Sequence, residues 1–220
     1  MNRIKNNKDY RIHSSRLQTQ KLACTPGLFG EIRQPEGQML VIPKVSSETR
    51  DYLPIAFVSA DIIVNGSALI IPDATTYHLG ILSSSIHMAW MRAVCGRMKS
   101  DYQYSKDIVY NNFPWPDLSG KCGVGSGKIK AKETQEDYQK RLEAKISLCA
   151  EEILRTRNLY SDCSLAQLYN PLTMPSDLLK AHKALDKAVM EIYGYAPEMS
   201  EPEIVADLMV RYQKLVEADG

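Results

Sequence analysis

The first half of the chain places its apolar residues in short runs separated by polar and turn-forming residues. Runs of this length, bounded by Pro, Gly, Asn or Asp, are typical of buried or edge strands. The pattern predicts strands at 39–42, 53–58, 61–64, 68–71 and 77–82. Asn65 and Gly66 separate 61–64 from 68–71, and both residues tolerate the positive φ of a type I′ turn, which predicts a hairpin there.

Helical periodicity begins near residue 86 and then dominates the second half of the chain. One apolar face follows the serines at 83–85 and stops at Gly96, which predicts a helix between them. Further apolar stripes run through 138–153, 178–192 and 204–215. The last stripe follows a capping-box spacing between Ser200 and Glu203. Three amphipathic helices with short connections predict a small antiparallel helical bundle.

Residues 118–133 contain four glycines and no apolar period, which predicts a flexible linker. Its GVGSGK stretch does not fit a phosphate-binding loop, because Cys122 stands where the Walker pattern needs Gly and Ile129 where it needs Ser or Thr. The sequence therefore predicts an α+β chain with a mixed, strand-rich domain at 1–117, the linker at 118–133 and the helical bundle at 134–220.

Composition and charge narrow the class of protein. The net charge is +1, so the overall basic field of many nucleic-acid-binding domains is absent, although the first 22 residues hold six basic side chains and only Asp9 as an acid. The longest apolar runs are far shorter than the ~20 residues of a membrane span, and the N-terminus lacks the apolar core of a secretory signal. Five scattered cysteines argue against structural zinc and disulfides. We expect a cytoplasmic protein without a membrane partner.

No catalytic constellation is visible in the sequence. A nucleophile elbow of the Gly-x-Ser-x-Gly type is missing. His78 and His87 stand among apolar neighbours, where a lone histidine is more often a packed, hydrogen-bonded residue than a ligand. We therefore expect no catalytic, cofactor or metal site within this chain.

Residues 96–105 carry the most informative polar pattern. Read as one strand, they alternate between a polar face and a face that can pack. The polar face holds Arg97, Lys99, Asp101, Gln103 and Ser105. Such a row matches base edges in the DNA major groove, where Lys donates to guanine and Asp accepts from cytosine. The alternative is a solvated strand face, on which a Lys–Asp pair contributes little to stability.

Several long segments resemble one family. Residues 81–102 and 106–116, together with 25–35, are similar to the recognition region of MmeI-like DNA methyltransferases, although Gly27 replaces an expected aromatic residue. Residues 164–175 and 181–186 resemble the helical tail of the same family. These proteins are single-chain type II restriction–modification enzymes and related adenine-N6 DNA methylases.

The resemblance implies a target recognition domain followed by a helical domain. It implies that Lys99 and Asp101 read one base pair and that Gln103 helps to read another. The parent enzyme would use S-adenosylmethionine, but the glycine-rich cofactor loop and the Asn-Pro-Pro-aromatic catalytic motif are both missing here. Double-stranded DNA and a methyltransferase domain of the same parent chain are the expected partners. A protein-interaction or scaffold module without DNA contact is the alternative.

A second group of residues is suited to the DNA backbone. Basic and hydroxyl side chains near the predicted reading segment can hold phosphate oxygens. The candidates are Arg97, Lys106, Arg92, Ser46, Ser47 and Arg50. For each of them, an exposed surface role is about equally expected.

Overall fold

The computed structural model describes residues 2–30, 32, 34–116 and 134–219, so the predicted linker at 118–133 lies outside the described residues. The chain divides into two compact units, residues 1–36 and 37–220. The division into domains at 1–117 and 134–220 stays a prediction.

The N-terminal unit is a small helical hairpin built around one arginine. It contains α1 (Asn2–Ile12), α2 (Leu17–Lys21) and a 3₁₀ turn (Leu22–Cys24). The Arg11 guanidinium donates to the carbonyl oxygens of Leu22, Thr25 and Leu28 at 2.9, 2.7 and 2.8 Å. Among its described residues only Ala23 is a buried hydrophobic residue, so hydrogen bonds from α1 rather than an apolar core hold this unit together.

The second unit begins with a three-stranded antiparallel sheet. Its strands are β1 (Met39–Pro43), β3 (Ala56–Val58) and β4 (Ala68–Pro72), in the order β3-β1-β4. In the register, Leu40 lies opposite Phe57 on one side and Ile71 on the other. The strands predicted at 39–42 and 68–71 are confirmed, and the predicted strand at 53–58 is confirmed only from Ala56 onwards.

The predicted hairpin through Asn65 and Gly66 is wrong. Residues 61–64 form no strand, and β4 pairs with β1 instead. Neither Asn65 nor Gly66 has a positive φ. The Asn65 Oδ1 atom instead accepts the Ser67 N–H at 2.9 Å, an Asx turn that leads into β4.

The predicted strand at 77–82 is also wrong, because these residues belong to α3 (Thr76–Leu82). A capping box between Thr75 and His78 starts this helix, with the Thr75 N–H donating to His78 Nδ1 at 3.1 Å. Leu79, Gly80, Ile81 and Leu82 are all buried. A fully buried run of this kind has no polar face to distinguish a strand from a helix by its period.

Four further helices confirm the sequence analysis. They are α4 (Ser85–Val94), α5 (Gln135–Asn158), α7 (Ser176–Tyr193) and α8 (Glu201–Asp219), whereas the short α6 (Leu165–Leu168) was not predicted. The Ser84 hydroxyl caps α4, and Gly194 ends α7 with a φ of 75°. Ser200 and Glu203 form the predicted capping contact at the start of α8, with the Ser200 N–H donating to Glu203 Oε2 at 2.8 Å.

Helices from both halves of the chain share one apolar core. Helix α5 packs against α3 and α7, and α8 packs against α4. Trp90 of α4, Tyr138 of α5 and Leu185 of α7 belong to the same buried cluster. The predicted α+β class is confirmed, and the core ties α4 firmly to the helices that follow residue 134.

Candidate nucleic-acid interface

A short hairpin follows directly after α4. Its strands are β5 (Gly96–Met98) and β6 (Asp101–Gln103), which pair antiparallel with Met98 opposite Asp101. Lys99 and Ser100 form the turn, and Lys99 has a positive φ of 58°. The prediction of one continuous strand over 96–105 is therefore wrong, because the chain reverses at Lys99.

The reversal changes which side chains share a face. Directly opposite residues in an antiparallel pair lie on the same face. Met98 therefore lies beside Asp101, and Gly96 beside Gln103, whereas Arg97 lies beside Tyr102. The Arg97 guanidinium stacks over the Tyr102 ring at 4.2 Å from its centroid and donates to the Ser100 carbonyl at 3.0 Å. Arg97 is thus on the opposite face from Asp101 and Gln103, contrary to the sequence prediction.

The hairpin carries three polar side chains without partners among the described residues. Lys99 and Gln103 are exposed and Asp101 is half-buried. Within the described parts of the chain, none of these three side chains makes a hydrogen bond or an ion pair with another protein group, even though Lys99 and Asp101 are separated by a single residue. Their donors and acceptors are therefore available to a ligand.

The root of the hairpin is rigidly anchored. Strand β2 (Val45–Ser46) pairs with β6 and makes it the middle strand of a second sheet, in the order β2-β6-β5. The buried Tyr104 hydroxyl hydrogen-bonds to His87 Nε2 of α4 at 2.9 Å. Burial lowers the pKa of His87 to about 3, so its ring is neutral at pH 7. The polar tip is held on a fixed base.

Helix α4 itself is fixed at its first turn by a buried carboxylate. Asp186 of α7 accepts the Ser85 N–H and the Tyr52 hydroxyl, each at 2.7 Å. Burial raises the pKa of Asp186, while its two hydrogen bonds favour the charged form. A carboxylate at a helix N-terminus also interacts favourably with the helix dipole. Asp186 therefore sets the position of the helix from which the hairpin extends.

The predicted phosphate-binding residues are in different environments. Ser46 is only 2% exposed and lies 3.5 Å from the Arg50 guanidinium, whereas Ser47 shares a hydrogen bond of 3.0 Å with Thr49. Arg92 forms an ion pair with Glu201 of α8 at 2.9 Å. Arg92 also contacts the Arg50 carbonyl oxygen at 3.5 Å. The structure therefore brings Ser46, Arg50 and Arg92 close together.

Lys106 follows β6 closely along the chain, near the root of the hairpin. It begins a π-helical turn (Lys106–Tyr110) whose Val109 carbonyl accepts the Trp90 indole N–H at 2.9 Å. Lys106 and Gln103 line the same surface cleft of about 490 Å³, together with Gly96. A Cβ atom at Gly96 would lie 3.4 Å from Gln103 Oε1, which is an ordinary van der Waals contact. The neighbourhood of Gly96 and Gln103 follows only from the register of the hairpin.

No group of three or more His, Cys, Asp or Glu side chains in the described parts of the chain is arranged to hold a metal ion. Among the helices of the described residues, none has the length and apolarity to cross a membrane.

Comparison with known proteins points to one family. The family model described as MmeI, target recognition domain, matches residues 1–117, and the model described as MmeI, C-terminal domain, matches residues 137–218. DNA methyltransferase A of Bacillus subtilis (strain 168) is 37% identical over 215 residues, which cover 98% of this chain and 22% of that protein.

A solved relative has the same fold. The structure of the type IIL restriction-modification enzyme MmeI in complex with DNA is 40% identical and matches with a TM-score of 0.78 over 97% of this chain. The match covers 26% of the MmeI chain. The chain therefore spans only about a quarter of the length of these relatives.

Proposed function

Because the chain belongs to the MmeI family, as a target recognition domain followed by the family's C-terminal domain, we propose that it reads the DNA target of an adenine-specific DNA methyltransferase in a restriction–modification system. The observation that carries this proposal is the anchored hairpin, on which Lys99, Asp101 and Gln103 have no partner among the described residues. The solved MmeI relative was determined in complex with DNA, which supports the same role here.

The dimensions and chemistry of the hairpin suit the DNA major groove. That groove admits a two-stranded β-ribbon, and each base pair presents a distinct pattern of donors and acceptors there. The Lys99 ammonium donates to guanine O6 or N7, and the Asp101 carboxylate accepts from cytosine N4. Gln103, farther from the tip and next to Gly96, contacts a different base pair. Because neither Lys99 nor Asp101 must break a protein contact first, binding incurs little rearrangement.

Backbone contacts supply orientation rather than specificity. Arg97, on the opposite face of the hairpin, and Lys106, which follows it, are exposed, which suits them to phosphate oxygens. Ser47 and Arg50 are reachable at the edge of the same sheet. Ser46 contributes through Arg50, because its own side chain is buried. Arg92 reaches a phosphate only if the Glu201 carboxylate releases it.

The methyl group and its chemistry belong to the rest of the parent protein. S-adenosylmethionine supplies the transferred methyl group in DNA methyltransferases, and this sequence lacks both motifs that would bind the cofactor and the target adenine. The partners of the chain are double-stranded DNA and the methyltransferase domain of the same parent chain. The chain positions the DNA, and the neighbouring domain carries out the transfer.

Reversing the donor and acceptor at the tip tests the proposal. Lys99→Glu combined with Asp101→Arg exchanges donor and acceptor while the net charge stays the same. We expect the full-length methyltransferase with both changes to modify sites that have C in place of G at one position. Either single change leaves an unmatched polar group against a base and should lose about 1–3 kcal/mol of binding free energy. Sequencing of methylated sites provides the measurement.

A matched control exchanges an ion pair on another element. Lys140 and Glu136 pair at 2.6 Å on the exposed face of α5. The double change Glu136→Lys with Lys140→Glu also preserves the net charge, and we expect it to leave the methylated sequence unchanged. An active Lys99–Asp101 double variant with its original target would contradict the assignment of these residues.

A further inference from the structure

An exposed methionine stands on the reading face of the hairpin. Met98 is 52% exposed, although it is a large apolar residue. Its register position is directly opposite Asp101, so both side chains project from the same face. The alternation of a single strand would have placed Met98 on the packing side, and only the reversal at Lys99 brings it next to Asp101.

We propose that Met98 is a further specificity-determining residue, which contacts the C5-methyl group of a thymine in a base pair next to the pair read by Lys99 and Asp101. This inference rests on the proposed function. Thymine is the base that carries a methyl group in the major groove, and apolar side chains recognise it there. The long, polarizable thioether of methionine adapts well to such a surface.

The spacing of the hairpin supports a neighbouring base pair as the partner. Side chains directly opposite each other in an antiparallel pair have Cβ atoms about 4.5–5.5 Å apart. Successive base pairs rise by about 3.4 Å along the duplex. With Asp101 directed at a G·C pair, which has no methyl group, the Met98 side chain extends over the adjacent base pair. The exposed surface of Met98 is then buried against the DNA.

Removal of a single methyl group from the DNA tests the contact directly. The full-length methyltransferase is titrated with duplexes that carry its own methylation target. In one duplex the thymine next to the Lys99–Asp101 pair is intact, and in the other it is replaced by deoxyuracil. We expect wild-type protein to bind the deoxyuracil duplex about three- to fivefold more weakly, as for the loss of one buried methyl group.

Variants at position 98 assign the effect to this side chain. Met98→Ala should bind both duplexes equally, and Met98→Leu should retain the preference for thymine because it is still apolar. Met209 on α8 is another partly exposed methionine, 37% exposed, so Met209→Ala is the matched control and should behave as wild type. Both positions lie on the surface, so the fold should be unaffected by any of these changes.

The failures of this inference and of the proposed function are distinguishable. Equal binding of both duplexes by wild-type protein, an equal preference in Met98→Ala, or a target with no thymine beside the read G·C pair would overturn the role of Met98. If the Lys99–Asp101 exchange still changes the methylated sequence, the proposed function stands and only the role of Met98 is lost.

Discussion

Lys99 combines an unfavourable backbone conformation with an exposed side chain. Its φ of 58° lies in the left-handed region, where a residue other than glycine costs about 1–3 kcal/mol. The first central position of a two-residue hairpin turn with this φ pattern favours glycine. Lysine therefore occupies a position at which the turn alone would favour glycine.

Replacement by glycine should separate the two roles. In Lys99→Gly the turn loses its strain, so we expect the free energy of unfolding of the chain to stay level or to rise by up to about 1 kcal/mol. The same change removes the donor and should abolish the preference for guanine in the parent enzyme. Urea denaturation and sequencing of methylated sites measure the two effects.

The neighbouring turn residue provides the control for this variant. Ser100 has no positive φ, so Ser100→Gly should lower stability by about 0.5–1 kcal/mol through the entropy of the unfolded chain. Equal destabilisation in both variants would show that Lys99 is not strained.

At the scale of single elements, α3 depends on a glycine at a close helix contact. A Cβ atom at Gly80 would lie 2.6 Å from Ile146 Cγ2 and 3.3 Å from the Ile146 carbonyl oxygen of α5. Glycine usually weakens a helix by about 1 kcal/mol relative to alanine. Here the close approach of α3 and α5 outweighs that preference.

Gly80→Ala should therefore destabilise the protein despite its better helix propensity. Overpacking a well-filled core costs about 1–3 kcal/mol and the gain in helix propensity is about 1 kcal/mol, so we expect a net loss of up to about 2 kcal/mol. Gly66→Ala is the matched control, because nothing lies within 4 Å of its added Cβ atom. A thermal melt that ranks Gly80→Ala at or above wild type would contradict the close contact.

At the scale of the whole molecule, two buried histidines link stability to pH. His87 of α4 and His182 of α7 are both fully buried, and His182 Nε2 hydrogen-bonds to the Tyr169 hydroxyl at 2.7 Å. Burial lowers the pKa of each ring to about 3. The unfolded chain takes up these protons near pH 6.5, whereas the folded chain does so only near pH 3.

Stability should therefore fall as the pH drops below about 6.5. Each histidine should remove about 1.4 kcal/mol of unfolding free energy between pH 7.5 and 5.5. The raised pKa of Asp186 acts in the opposite direction as this carboxylate takes up its proton. Urea denaturation at the two pH values measures the change, and His182→Gln should remove about half of it. A pH-independent midpoint would rule out this linkage.

The sequence by itself determined those elements whose own residues carry both the apolar periodicity and the caps. The stripes of α5, α7 and α8 alternate buried and exposed positions at helical spacing, and their caps, such as Ser200 with Glu203 and Gly194, act within a few residues. The long segments shared with MmeI-like proteins also identify the family, because such a match runs linearly along the chain. These signals are local or linear, so they do not depend on how distant segments pack.

Only the tertiary structure decided which segments meet. Residues 79–82 are all buried, so their pattern has no period, and these residues belong to a helix that packs against α5. Strand β4 pairs with β1, which lies far away in the sequence, and a local turn signal could not predict this pairing. The reversal at Lys99 lacks a glycine signal, and the pairing of β5 with β6 closes it. The face that holds Asp101, Gln103 and Met98 together, with Arg97 on the opposite side, follows from that reversal.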